Sequence, residues 1–173
     1  KELVENSLDA GAEKISVALQ KAGKTLIHVW DDGCGMSKED LLIAPLRHTT
    51  SKLFTIEQLN DIHTFGFRGE ALAAISSVSL LEIQTRTKED EYRWRLIAEP
   101  QKEFVLEPIN IEVGTQSFVK NLFLNVPARR KFLKTDITEL NRVSDTLKRL
   151  AISYPNKSFS FFESFPISDN SRK

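Results

Sequence analysis

The sequence holds a single cysteine, Cys34, among 173 residues. No internal disulfide can therefore form, and a reducing compartment fits. No apolar run approaches the roughly 18 residues that span a bilayer, and no signal peptide is read before the first helical segment, so a membrane is not expected as a partner. Net charge is missing as well. Lys+Arg and Asp+Glu both total 24, so the chain as a whole makes no case for nucleic acid; only a local basic patch could. There are no internal repeats and no low-complexity tracts. Three familiar catalytic or binding signatures are also absent: the G-x-x-x-x-G-K-[ST] string of a P-loop, the G-x-S-x-G string of a serine hydrolase, and any His/Cys cluster at zinc spacing, since His28, His48, His63 and Cys34 stand apart.

What is present is globular. Hydrophobic residues make up 40% and charged residues 28%, which excludes disorder as the default state. The length suits one domain, or one domain and the start of another. The sequence opens inside a helical pattern without an initiator Met and closes on Ser168 to Lys173 after a strand-like segment, so it reads as a fragment of a longer, intracellular protein.

The first stretch, Lys1 to Ala12, organises the rest. Read as a helix, it puts Glu2, Asn6 and Asp9 on one face at i, i+4 and i+7, while Leu3, Val4, Ser7 and Leu8 fall on others. Gly11 can supply the left-handed residue that stops it. Lys14 to Leu19 alternates apolar with small or polar residues, Lys21 to Lys24 turns, and Leu26 to Trp30 returns: a β-hairpin. Asp31-Asp32-Gly33-Cys34-Gly35 cannot continue the sheet. Ser37 to Asp40 has the form of a capping box before a helix of about two turns ending near Leu46, and Thr55 to Gln58 repeats the signal. Between them, His48 to Lys52 is polar loop. Gly66 to Gly69 is a glycine-flanked loop, with strong helix formers from Glu70 to Ser76. Strands are expected over Val78 to Thr87, Tyr92 to Ala98, Phe104 to Leu106 and Thr115 to Lys120. Pro127 suits the first turn of a short helix. A longer one follows, with Ile137, Leu140, Val143, Leu147, Leu150 and Ala151 as its apolar stripe, ended by Pro155. Ser158 to Glu163 is a strand expected to begin something new. Hairpins dominate, so the expected class is α+β: a two-layer sandwich with a mixed, mostly antiparallel sheet covered on one face by helices.

The chemistry lies in three segments, each of which has a plain structural reading too. Glu2 beside Asn6 is either a solvated helix face or a general base one turn from an amide oxygen. Asp31 to Gly35 is either a turn or a site in which Asp31 accepts from a purine amine and Gly33 and Gly35 let the backbone approach a ring. Gly66 to Gly69 before a helix is either a loop or an anion site, to which Lys52 adds a charge. Mg²⁺ takes oxygen ligands and keeps several waters, so Asn6 with phosphate oxygens suffices. Cys34 is a small residue in a tight loop, with no base beside it. Trp30, Trp94 and the eleven phenylalanines are expected in the core.

Taken together, E-x-x-x-N (Glu2, Asn6), D-x-G-x-G (Asp31, Gly33, Gly35) and the glycine loop resemble the GHKL ATPase superfamily. Longer strings, Glu2 to Ala12, Arg47 to Lys52, Gly66 to Leu72 and Val126 to Leu133, resemble its MutL branch, the DNA mismatch repair ATPases. The last string argues against the topoisomerase and chaperone branches. The resemblance covers residues 1–155, implied to be the ATPase domain lacking its first helix and strand, with residues 156–173 beginning a second, truncated α/β subdomain. It implies ATP and Mg as cofactors: Glu2 as the base for the attacking water, Asn6 on Mg²⁺, and Asp31 on the adenine amine. Thr50, Ser51 and Lys52 would line the pocket. Gly66, Phe67, Arg68, Gly69 and Glu70 would form a lid over the phosphates, and Gly114-Thr115 would sit behind the adenine. Asp32 replaces an Asn of bacterial relatives and would add a charge near the base pocket. Implied partners are a second MutL-type subunit, a MutS-type mismatch recognition protein, and DNA bound without sequence specificity, in a bacterial cytoplasm or nucleoid or a eukaryotic nucleus. The basic cluster Arg129, Arg130, Lys131 and Lys134 is either a solvated helix face or part of that DNA surface. The function implied is a slow, Mg-dependent ATPase that switches dimerisation and couples mismatch recognition to downstream repair. The other reading is a nucleotide- or DNA-binding scaffold of the same fold with negligible turnover, and a lysine of the second subdomain, expected beyond residue 173, would reach the γ-phosphate.

Overall fold

The alternation of Lys14 to Asp31 builds the hairpin it predicts. In a computed structural model, which describes residues 1–46, 70–110 and 112–163, strand β1 (Lys14–Gln20) pairs antiparallel with β2 (Leu26–Asp31) across a 3₁₀ turn at Lys21–Gly23. Helix α1 (Glu2–Asp9) precedes the hairpin and ends at Gly11, whose φ of +72° is the left-handed stop expected there. Ser37 caps α2 (Lys38–Ile43) by accepting a hydrogen bond from the Asp40 N–H. After α3 (Ala71–Ser76) come β3 (Leu80–Arg86), β4 (Arg93–Ala98), β5 (Val105–Ile109) and β6 (Gly114–Lys120). Helix α4 (Pro127–Lys131) begins with its proline, α5 (Asp136–Ser153) stops two residues before Pro155, and β7 (Ser158–Glu163) closes the described chain.

Among the described residues seven strands form one sheet, in the order β5-β4-β3-β6-β2-β1-β7. Every pairing is antiparallel except that of β1 with β7. This is the mixed, mostly antiparallel sheet of an α+β fold. Side-chain alternation gives it two unlike faces. Ile15, Val17, Leu19, Val29, Ile83, Leu96 and Val119 are buried against Leu3 and Val4 of α1, Leu41 of α2 and Leu147 of α5. On the other face His28 stacks on Phe118 and Trp30 at centroid distances of 4.0 and 4.5 Å. Trp30 meets Phe162 at 5.9 Å, reaching across β1 because Ser16 and Ala18 are small there. Glu82 lies buried on that face, bonded to Lys120 at 2.7 Å and to Gln84 at 2.6 Å, next to the Arg95–Glu107 pair.

Three expectations change. Ser158–Glu163, expected to begin something new, joins this sheet as its seventh strand, paired in register with Lys14–Leu19. Ile137 is 74% exposed, although Leu140, Val143 and Leu147 of the same stripe pack with the core. The phenylalanines are not uniformly core: Phe132 is 80% exposed, and Phe161 and Phe162 also face outward. The second capping signal at Thr55 to Gln58 lies outside the described residues, as does residues 164–173.

Candidate functional site

Inserting β6 between β2 and β3 brings three strand ends together. Asp31 at the end of β2 and Thr85 near the end of β3 both oppose Thr115 near the start of β6. A glycine is required for that meeting. Gly114 has a φ of +123°, and a Cβ there would lie 2.1 Å from the Asp31 carbonyl oxygen. Thr85, fully buried, accepts from the Met36 N–H at 2.8 Å, donates to the Gly114 carbonyl at 3.1 Å, and lies 3.2 Å from the Thr115 hydroxyl. This tie anchors the far end of the Asp31 to Gly35 loop.

The loop itself threads between α1 and β3. A Cβ on Gly33 would meet Ala10 at 2.9 Å, and one on Gly35, at a φ of +74°, would lie 2.1 Å from the Arg86 carbonyl oxygen. The Cys34 N–H donates to the Ala10 carbonyl at 2.9 Å, pinning the loop to the end of α1. Both glycines thus follow from close backbone approach.

The Asp31 carboxylate is held on both sides. The Ser7 hydroxyl donates to its Oδ2 at 2.7 Å and the Gly33 N–H to its Oδ1 at 3.0 Å. Burial pushes the Asp31 carboxyl up, and the hydrogen bonds from Ser7, Gly33 and the Thr115 backbone act against that rise. Asp32 does not turn into this pocket. Its Oδ1 accepts from the Glu13 and Lys14 N–H groups at 2.8 Å each, so it clamps the start of β1 instead. Burial is the largest single influence and raises its pKa, but the hydrogen bonds from Lys14 and Glu13 and the nearby Lys14 charge together outweigh it and lower the pKa. Its charge still reaches Asp31, whose carboxyl it pushes up.

Of the other candidates, Asn6 is half-buried, one position before Ser7 on α1, and Glu2 is exposed one turn earlier. Lys1 sits 3.7 Å from Glu2 but bonds more closely to the buried Glu5, at 2.7 Å. Glu70 is the exposed residue immediately before α3. Thr50, Ser51, Lys52, Gly66, Phe67, Arg68 and Gly69 lie outside the described residues. Arg129, Arg130 and Lys131 fill the last turn of α4, a helix with no buried residue. The Lys134 side chain is exposed too, while its backbone carbonyl accepts from Lys24 at 2.6 Å. Among the described residues no group of three or more His, Cys, Asp and Glu is placed to hold a metal ion, and no helix is long and apolar enough to cross a membrane. Two site residues escaped the sequence reading. Ser7 and Thr85 are polar residues at core-facing positions, and that is their signal: Thr85 follows Leu81 and Ile83 on the buried face of β3.

A carboxylate fixed at a strand end, with glycines keeping side chains away beside it, can accept from a planar amine. The model of the family described as histidine kinase-, DNA gyrase B- and HSP90-like ATPase matches residues 1–120. The chain belongs to that ATPase family. Within it, this GHKL ATPase is of the MutL type. It is 48% identical over 160 residues to the DNA mismatch repair protein MutL of Haemophilus influenzae, covering 92% of this chain and 25% of that protein. It is 45% identical over 155 residues to MutL of Chlorobaculum parvum, with coverages of 90% and 25%. The GHKL domain also superposes on the Aquifex aeolicus MutL ATPase domain complexed with ADP, with a TM-score of 0.74 and 34% identity over 94% of this chain and 57% of that one. The chain spans about a quarter of the length of the curated relatives it matches.

Proposed function

We propose that this chain is the ATP-binding and ATP-hydrolysing module of a MutL-type DNA mismatch repair protein, working as a nucleotide-driven dimerisation switch. The observation that carries the reading is the Asp31 carboxylate, held by Ser7 and Gly33 at 2.7 and 3.0 Å beside a glycine loop. The adenine amine donates to this carboxylate, the base lies over Gly33 and Gly35, and Thr115 stands behind it. Asn6 offers a neutral, hard oxygen on the same helix, the donor type that Mg²⁺ takes alongside phosphate oxygens and water. When bound, Mg²⁺ neutralises charge on the phosphate oxygens. Glu2, one turn from Asn6, takes the proton of the attacking water. Thr50, Ser51 and Lys52 line the pocket, and Gly66, Phe67, Arg68, Gly69 and Glu70 close over the phosphates.

Lid closure joins two such modules, and hydrolysis releases them, linking a MutS-type recognition protein to later repair. DNA is contacted through its phosphates by Arg129, Arg130, Lys131 and Lys134. Turnover is slow and Mg-dependent, as suits a switch more than a metabolic enzyme. The support for these roles is the resemblance of the motifs together with the placement of Asp31.

A Glu2→Ala variant tests the catalytic part. Its hydrolysis rate should fall by a factor of about 100 or more, while its affinity for a non-hydrolysable ATP analogue stays within about threefold. An unchanged rate would make the chain a binding scaffold of this fold and not an enzyme.

A further inference from the structure

Ser7 is 3% exposed, on a helix face otherwise given to Leu3 and Val4. A hydroxyl at such a position costs stability unless it is bonded, and it weakens a helix interior by competing for backbone acceptors. Two acceptors stand within reach. The Leu3 carbonyl is 3.2 Å away and Asp31 Oδ2 is 2.7 Å away. A serine has one hydrogen to donate, and the charged, nearer acceptor takes it. The Leu3 carbonyl also lies one turn back along α1, where the helix itself bonds it.

We propose that Ser7 is the positioning residue that fixes the Asp31 carboxylate for a purine carrying an exocyclic amine, and so sets base selectivity. This rests on the nucleotide reading above. Asp31 has two oxygens and a terminal torsion that is soft on its own. The Gly33 N–H holds Oδ1 and Ser7 holds Oδ2, so the plane of the carboxylate is set from opposite sides by α1 and by the loop. Without Ser7 the carboxylate keeps its backbone donors but loses the one that reaches Oδ2 from α1. It then turns out of the plane in which it accepts an amine. Helix α1 also carries Glu2 and Asn6, so Ser7 ties the base end of the site to the element carrying the catalytic end.

The test compares two ligands that share a triphosphate and differ at one ring position. They are a non-hydrolysable ATP analogue and its inosine counterpart, which has a 6-oxo group in place of the amine. Dissociation constants with Mg²⁺ are measured for wild type, Ser7→Ala and Ser7→Thr, after each is shown to melt cooperatively. Ser7→Ala should weaken the adenine ligand about tenfold and leave the 6-oxo ligand within twofold, collapsing the preference. Ser7→Thr, which keeps the hydroxyl, should restore it. Equal weakening of both ligands would make Ser7 a packing residue and overturn the proposal, as would an unchanged preference in Ser7→Ala. A wild-type chain that binds both ligands equally would instead remove Asp31 from base recognition. One that binds neither would remove the nucleotide reading itself.

Discussion

Four glycines separate two costs that are usually entangled. Gly11 has a φ of +72° and nothing within 4 Å of an added Cβ. Gly33 has an ordinary φ, but its Cβ would lie 2.9 Å from Ala10. Gly35 and Gly114 have both problems, with φ of +74° and +123° and backbone oxygens 2.1 Å from the added carbon. Alanine at Gly11 should therefore cost only the left-handed backbone term, about 1–2 kcal/mol, partly offset by a stiffer unfolded chain. At Gly33 the cost is overpacking, about 1–3 kcal/mol. At Gly35 and Gly114 the two add, to about 2–5 kcal/mol, a large share of the 5–15 kcal/mol that holds a typical domain together. For a chain of this length each kcal/mol moves Tm by roughly 2–4 °C. Thermal unfolding followed by circular dichroism should thus rank the variants Gly11→Ala, Gly33→Ala, then Gly35→Ala and Gly114→Ala. The last two should melt about 10 °C below wild type. If Gly114→Ala melts with Gly11→Ala, the strand ends are not in the contact described, and the argument for how Asp31 is placed fails with it.

Four further outcomes follow from the same geometry. Asp31→Asn should weaken an ATP analogue about 10- to 100-fold by calorimetric titration, the worth of a hydrogen bond to a charged acceptor; affinity within threefold of wild type in a folded variant would refute the adenine assignment. Because burial raises the Asp31 pKa in the folded state, its ionised form costs stability above that pKa, and the ligand-free chain should gain stability as pH falls through it, a dependence Asp31→Asn should lack in urea titrations. Glu82 behaves oppositely: burial raises its carboxyl, but bonds from Lys120 and Gln84 and the nearby Arg95 lower it overall. Its contribution is present above the ordinary carboxylate pKa and lost as pH falls through the depressed one. Lys120 is 40% exposed, so Glu82→Gln should cost only about 1 kcal/mol at neutral pH and nothing once the carboxyl is protonated in both states. Replacing Arg129, Arg130, Lys131 and Lys134 together by alanine should flatten the salt dependence of duplex binding by roughly 3–4 in the log–log slope; an unchanged slope would make them a solvated face.

Local structure was legible where one residue decides it. Ser37 announces α2, Pro127 opens α4, Gly11 ends α1, and the alternation from Lys14 to Asp31 specifies a hairpin. Motif spacing identified Asp31, Gly33 and Gly35 as a unit, and the structure shows why the glycines are there: backbone from α1 and β3 passes too close for a side chain. What stayed hidden depends on partners far along the chain. Asp32 looks like a second pocket carboxylate until the N–H groups at the start of β1 claim it. Ser7 looks like filler on a helix until β2 brings Asp31 against it. Ile137 continues a helical stripe by spacing, yet it stays exposed while Leu140 and Val143 pack with the core. No local pattern reveals that Ser158–Glu163 pairs with the first strand and not with a later one.

That last pairing has a temporal consequence. Lys157 reaches back to Glu13, 144 positions earlier, just where β7 meets β1. During synthesis β1 and β2 can pair at once, yet the outer edge of β1 stays bare until β7 has been made. Closing so long a loop is slow, and an open strand edge is a template for pairing with a neighbouring chain. Between the making of β1 and the making of β7, that edge is therefore open to a neighbouring chain. Parallel pairing is a late event in its synthesis, and a ribosome stalled before Ser158 would hold a sheet edged by β5 and β1 in place of β5 and β7.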